Sequence, residues 1–290
     1  MNVEVDRLKP GMVLVEDVIG KSGEPIIKQG TTLTETHITF LKKFLIKDVS
    51  VTTDGMLVRK RQQQKPIEED SSLTTLLKQA SSEYEKMFNA WRNSVAIDMY
   101  AIRKTFIPFF TKVIDLPMQE VLFSYTLEER DNIFNRTIVQ SILAIQLARL
   151  NCFEKKDWLQ IGFATLLSDS GLSRLITRDF TIDSYKKHDK WQLHPLYSYQ
   201  MVENITTLTK ITKIAILQHH EYLDGTGFPG KISGDQISSY SRIVTISDFV
   251  LSLRTNNIAT ILTSLKENLG KKLDRNLTLL FMKRFSEGYS

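Results

Sequence analysis

The sequence predicts a mainly α protein, a helical bundle preceded by a small β-rich module. Three observations predict it. From Ser72 onward, apolar side chains recur at spacings of three and four, with no alternating stretch between them. Residues 1–57 instead alternate apolar and polar positions in short runs broken by glycine and proline. Between the two lies "VRKRQQQKPIEEDSS", residues 58–72, a basic run, a glutamine run and acids with no apolar face to bury. The expected organisation is a β-rich module at 1–57, a linker at 58–72 and a helical domain at 73–290.

In the module, strands are expected in "GMVLVEDVI", "EPIIKQG" and "KDVSVTTDG", separated by the turn signals "KPGM", "KSGEP" and "KQGTTLT". One helix, "ETHITFLKKFL", carries His37 with no ligand-type neighbour, so His37 is read as structural. The helical domain opens on residues 72–116, whose aromatic side chains between 84 and 110 fall at helical spacing and are read as core. Further helices are expected in "DNIFNRTIVQSILAIQLARL", "KDWLQIGFATLLSDSG", "HPLYSYQMVENI", "TLTKITKIAILQHHEY", "SRIVTISDFVLSLRT" and "ATILTSLKENLGKKLDRNLTLLFMKRF". With no intervening strand pattern, these form a single all-helical domain.

Composition narrows the function classes. The 290 residues are 42% apolar and 24% charged, with a net charge of +5 spread along the chain. That suits attraction to small anionic ligands and not a dedicated surface for a nucleic acid polymer. The single Cys152 excludes a disulfide framework and a cysteine-rich zinc site, and is read as buried packing. No apolar run approaches the roughly 18 residues of a membrane span. The N-terminal "MNVEVDRLKPGM" has no apolar targeting core, so a soluble, cytoplasmic protein is expected. Many apolar residues at 73–125 need covering, which points to a homodimer or another protein partner.

Candidate chemistry lies where polar residues interrupt apolar helices. Asp169 follows the apolar run of "FATLLSDSGL", and His194 precedes Pro195, where a helix can start. His219 and His220 close "TKIAILQHH", and Asp248 sits inside the apolar "RIVTISDFVL", where an unpaired carboxylate is costly to bury. Imidazole nitrogen and carboxylate oxygen together suit iron, manganese or zinc, and helical bundles converge such ligands on one core site.

The stretch "HHEYLDGTGFPG" resembles the signature HHExxDGxGYP of the HD-GYP family, with Phe228 in place of the tyrosine. The likeness continues through "ISGDQISSYSRIVTISD" to Asp248, and upstream through "LHPLYSY", "LLSDSGL" and "RTIVQSILAIQLA". Residues 1–57 also resemble a small module found ahead of such domains. The resemblance implies a helical, cytoplasmic protein that hydrolyses the bacterial second messenger cyclic di-GMP, with two or three ions, commonly iron or manganese, activating a water. It assigns metal binding to Asp169, His194, His219, His220 and Asp248, with Asp169 the catalytic candidate if the site is active. It assigns ligand recognition to Asp224, Gly225, Gly227, Phe228, Pro229 and Arg242.

The departures from the family pattern fall in the chemistry. The first family histidine aligns with Arg136, which helix periodicity favours, or with Asn135 one register away; the histidine of the HD pair is Ser168, the HDxGK lysine is Leu172, and a later aspartate is Leu251. A guanidinium at Arg136 would repel a metal cation. One ion's ligands are thus mostly lost, while Asp169, His194, His219 and His220 complete a site for a single ion, iron or manganese in preference to zinc. Glu221 or Asp224 is expected to orient the imidazoles. Three readings follow. The first is a degenerate HD-GYP protein of cyclic di-GMP signalling, a ligand sensor or interaction module with little or no hydrolysis. The second is an active metal-dependent phosphodiesterase using the reduced site, and the third is a structural scaffold.

Overall fold

The computed structural model describes residues 2–19, 25–43, 46–52, 72–175, 180–188 and 190–287. It divides into two compact units, Met1–Asp70 and Ser71–Ser290. The first holds β1 (Asn2–Glu4), β2 (Val13–Leu14), β3 (Val18–Ile19), β4 (Pro25–Ile27), α1 (Glu35–Lys43) and β5 (Asp48–Thr52). β5 pairs antiparallel with β1 and β2, and β3 with β4. Alternation along β5 turns Val49 and Val51 inward onto Leu14, Leu33 and Leu41. His37 belongs to the N-terminal turn of α1, where its Nδ1 accepts from the Thr34 amide and its own amide donates to Thr34 Oγ1. Most of the "KSGEP" turn, and the expected linker apart from Ser72, lie outside the described residues.

The second unit is helical: α2 (Leu73–Arg92), α3 (Met99–Val113), α4 (Met118–Phe123), α5 (Leu127–Asp131), α6 (Ile133–Leu150), α7 (Lys155–Ser168), α8 (Ile182–Lys186), α9 (His194–Val202), α10 (Lys210–Gln218), α11 (Ser239–Ser252), α12 (Ile258–Asn268) and α13 (Arg275–Glu287). Side-chain oxygens of Ser72, Asp98, Asn132, Thr209, Ser238 and Asn257 cap the free amides of helix first turns. α6 is buried on every face from Arg136 to Ala148, so it is the axis on which α2, α7 and α11 pack. Its mean apolarity supplies the core, and its few polar residues are where the chemistry gathers.

The aromatic residues between 84 and 110 are core: Tyr84, Phe88, Trp91, Phe106, Phe109 and Phe110 are buried, with Tyr84 and Phe88 edge-on to Phe134 of α6 at 6.2 and 5.4 Å. Most of the apolar face of α2 and α3 is therefore covered within the unit, while Val95 and Tyr100 remain exposed. Cys152 is exposed, not buried: α6 ends at Leu150, and Cys152 lies in the left-handed turn that leaves it (φ 59°). The last helical stretch is also two helices. Gly270 takes φ 70°, and Asp274 Oδ1 accepts the Asn276 and Leu277 amides to begin α13. Among the described residues, no helix is long and apolar enough to cross a membrane.

Candidate metal centre

Close backbone packing builds the site. α7 ends at Ser168, and Asp169 leads into a 3-10 turn, Ser170–Arg174. Gly171 in that turn lies against α9, where a Cβ would come 2.3 Å from the His194 carbonyl oxygen and 2.5 Å from the Ser198 nitrogen. Only glycine admits that approach, and Ser198 secures it by donating to the Ser168 carbonyl (2.6 Å) while accepting the Gly171 amide (2.7 Å). Asp169 and His194 are thereby fixed side by side. α10 stops at Gln218, and His219 and His220 occupy the turn that follows. The loop after it folds back so tightly that a Cβ on Gly227 would come 2.4 Å from the His220 carbonyl.

Four ligand atoms, one each from Asp169, His194, His219 and His220, lie within 4.8 Å of one another. His194 Nε2 is 3.1 Å from Asp169 Oδ1 and 3.1 Å from His219 Nε2, which is itself 3.8 Å from that oxygen. The opposite ring nitrogens fix the proton positions. His194 Nδ1 meets the Trp191 carbonyl at 2.6 Å, and His219 Nδ1 meets that of Ile216 at 2.7 Å. A carbonyl can only accept, so each Nδ1 carries a hydrogen, and each ring turns its Nε2, the atom able to offer a lone pair to a cation, towards the cluster. Two Nε2 atoms and a carboxylate oxygen thus face one another in a buried space. Such a set is repulsive unless a cation, or a shared proton, sits among them.

Asp248 stands outside this group. Its Oδ1 takes a 2.6 Å bond from Arg136 Nη2, which also donates to the Asp248 carbonyl at 3.1 Å, and its Oδ2 lies 3.3 Å from His220 Nδ1. Hydrogen-bonded there, His220 leaves its Nε2 free for the cluster, an arrangement in which a carboxylate orients a metal-binding imidazole. The geometry makes Asp248 a support for His220 and Arg136 its counter-ion. The expected support from Glu221 or Asp224 is absent: Glu221 Oε1 accepts the Gly230 amide at 2.5 Å, and exposed Asp224 accepts from the Thr226 amide and hydroxyl. Their side chains close the loop, and backbone carbonyls turn the imidazoles instead.

The rest of the expected ligand-recognition set lies on that loop. Gly225 takes φ 75°, Phe228 and Pro229 are joined by a cis peptide bond, and the Phe228 ring lies 4.6 Å from that of His220. Arg242 is committed elsewhere, bound to Asp274 (3.0 Å), Asp235 (3.1 Å) and the Gly234 and Ile237 carbonyls. It pins the loop to the start of α13.

Burial alone would raise the Asp169 carboxyl, but in the metal-free site a proton shared from the Nε2 side of His194 and His219 outweighs it and holds the group well below its usual range. For Asp248 the Arg136 charge and then His220 likewise overcome burial and depress it strongly. Burial and the neighbouring His219 push His220 down to about 4. The folded protein therefore leaves His220 neutral where the unfolded chain takes up a proton. The stability this gives is complete above about pH 6.5 and is lost as pH falls towards 4. The metal-free protein should lose on the order of 3 kcal/mol across that window, and more below it as the two depressed carboxylates protonate. Urea titrations at stepped pH read this directly, and a flat profile between pH 7 and 4 contradicts it.

The HD domain family model matches residues 122–275, over half of the chain. The chain belongs to the HD domain family. It is 30% identical over 140 residues to the 3'3'-cGAMP-specific phosphodiesterase 3 of Vibrio cholerae, an alignment covering 44% of this chain and 30% of that protein. The chain thus spans under a third of that relative. Its fold is similar to that of an HDG"Y"P protein from Bdellovibrio bacteriovorus, with a TM-score of 0.58 and 15% identity over 99% of each chain. The HD-GYP-like character read from the motifs stands.

In this HD domain Ser168, in the place of the HD histidine, turns its hydroxyl back to the Thr165 carbonyl (2.8 Å), and Leu172 is fully buried. Sequence reasoning missed two contributors. Trp191 supplies both the carbonyl for His194 and a ring stacked 6.3 Å from it at 16°. The Arg136–Asp248 pair is the other. One buried guanidinium and one buried carboxylate on separate apolar helices was the available signal, because each charge demands a partner.

Proposed function

We propose that the helical unit binds one divalent ion, iron or manganese, through Asp169, His194, His219 and His220, and senses a cyclic dinucleotide with little or no hydrolysis. The observation that carries this is the confluence of two imidazole Nε2 atoms and a carboxylate oxygen in a buried space, with His220 alongside. An ion held there would supply Lewis acidity and acidify a bound water. The protein's own part is to hold the imidazoles in one tautomer through the Trp191 and Ile216 carbonyls and to exclude bulk water. Cyclic di-GMP or 3'3'-cGAMP is the ligand class, on the loop motif and on the similarity to the Vibrio cholerae enzyme. In the bacterial cell, this is a role in second-messenger signalling, passed on to a protein partner.

Arg136 is why hydrolysis is expected to be weak. Its positive charge, bonded to Asp248, occupies the ground a second ion would need, and losing one transition-state stabiliser commonly costs about 10²–10³ in rate. The second reading, a working phosphodiesterase, is favoured by the complete four-donor cluster and the activity named for the relative. Elemental analysis of protein purified without chelators, paired with turnover of both dinucleotides under anaerobic Fe(II) or Mn(II), separates them. One ion per chain and turnover no greater than a His219→Ala control support the sensor. Product well above that control establishes the enzyme, and absence of any ion removes both.

A further inference from the structure

The segment leading into His194 lends the metal centre the Trp191 carbonyl and one face of its ring, and it carries more than that role uses. Trp191 and Phe228 are only half-buried, whereas the imidazoles of His194 and His219 behind them are fully buried. The two rings meet edge to face at 4.9 Å. Trp191 lies nearly parallel to His194, and Phe228 leans over His220 at 4.6 Å. The pair forms an aromatic rim on the cluster. Immediately before it, Lys186, Lys187 and Lys190 are exposed, and none is ion-paired among the described residues. Two half-buried aromatic rings near exposed lysines, at the edge of a site suited to a metal-bound phosphate, match the chemistry of a nucleotide, a planar base joined to anions.

We propose that Trp191 is the stacking surface for the nucleobase, with Phe228 bounding the base edge and the three lysines drawing in the phosphates. This rests on the nucleotide-binding reading above and adds to it the residue that distinguishes a nucleotide from a bare phosphate. A purine offers the larger π-face, and base–aromatic stacking depends on that face and not on hydrogen-bonding pattern. Trp191 therefore contributes affinity for nucleobases in general, while the ion and the loop select the phosphate geometry.

The chain contains three tryptophans, and Trp91 and Trp158 are buried at 5% and 8% exposure, so Trp191 is the one a ligand can reach. The test is a fluorescence titration of the full chain loaded with Mn(II), using cyclic di-GMP, 3'3'-cGAMP and inorganic phosphate. Both dinucleotides should quench the parent protein. Trp191→Ala should weaken dinucleotide binding by about 5- to 100-fold, read by calorimetry, while Trp191→Phe keeps most of the affinity. Trp191→Phe, which keeps both the backbone carbonyl and a ring beside His194, should retain the parent's phosphate affinity and Mn(II) content. Dinucleotide affinity unchanged in Trp191→Ala overturns the proposal. So does a joint loss of phosphate affinity and Mn(II), which would make Trp191 a structural cover for His194. Phosphate and Mn(II) binding by the parent without either dinucleotide instead defeats the nucleotide reading itself, a failure visible before any substitution is made.

Discussion

Replacing Arg136 by methionine will destabilise the helical unit by about 3–5 kcal/mol, because it strands the Asp248 carboxylate in a buried position. The pair is tight: Arg136 Nη2 lies 2.6 Å from Asp248 Oδ1, and the side chains are 6% and 11% exposed. Their attraction has been offset against the cost of taking both charges out of water, so the intact pair adds little net stability. Removing one partner exposes the whole of that cost. The double replacement Arg136→Met with Asp248→Leu should therefore recover most of the loss, since it removes both charges and fills the space with apolar side chains. Urea unfolding of the chelated protein measures all three. A single Arg136→Met variant as stable as the parent would mean that Asp248 has another counter-ion, and a double variant no better than the single would mean the cost is packing, not charge.

Asp169→Asn should separate the ion from the fold. The asparagine keeps the shape of the aspartate but replaces an acceptor by an amide that can donate to His194 or His219 Nε2. Ion affinity should fall beyond the roughly 10–100-fold that loss of an outer hydrogen-bond partner costs, because the cluster's one carboxylate is gone. The metal-free protein should be at least as stable as the metal-free parent, because a donor now relieves lone pairs 3.1 Å apart. Calorimetric titration with Mn(II) and thermal melts in chelator give the two readings. A variant that keeps its ion, or that melts several degrees lower without it, would show that the oxygen is a structural acceptor and not a ligand.

Much of this was legible in the sequence, for identifiable reasons. The helical unit announced itself because burial on a 3.6-residue period leaves a pattern that survives without any knowledge of neighbours. The cluster residues were legible because imidazoles and carboxylates at the ends of apolar helices are chemically out of place, and because "HHEYLDGTGFPG" is a long motif. Cys152 was misread because apolar periodicity does not mark where a helix stops, and the chain leaves α6 through a left-handed turn at Cys152 itself. The support for the imidazoles was assigned to Glu221 or Asp224 on proximity in sequence. It comes instead from the Trp191 and Ile216 carbonyls and from Asp248, the last from a different helix.

By itself the sequence determined the helical class, the β-rich start and which side chains carry chemistry, since these follow from local periodicity and residue type. Only the tertiary structure decided how those side chains are paired. Asp169 and the three histidines share one point because Gly171 lets α9 lie directly on the turn after α7, and Asp248 is drawn away from them because Arg136 of the central helix lies within bonding reach. Such pairings depend on through-space distances between helices far apart along the chain. No local pattern encodes them, and in a buried, weakly screened interior they decide which carboxylate is left to meet a cation.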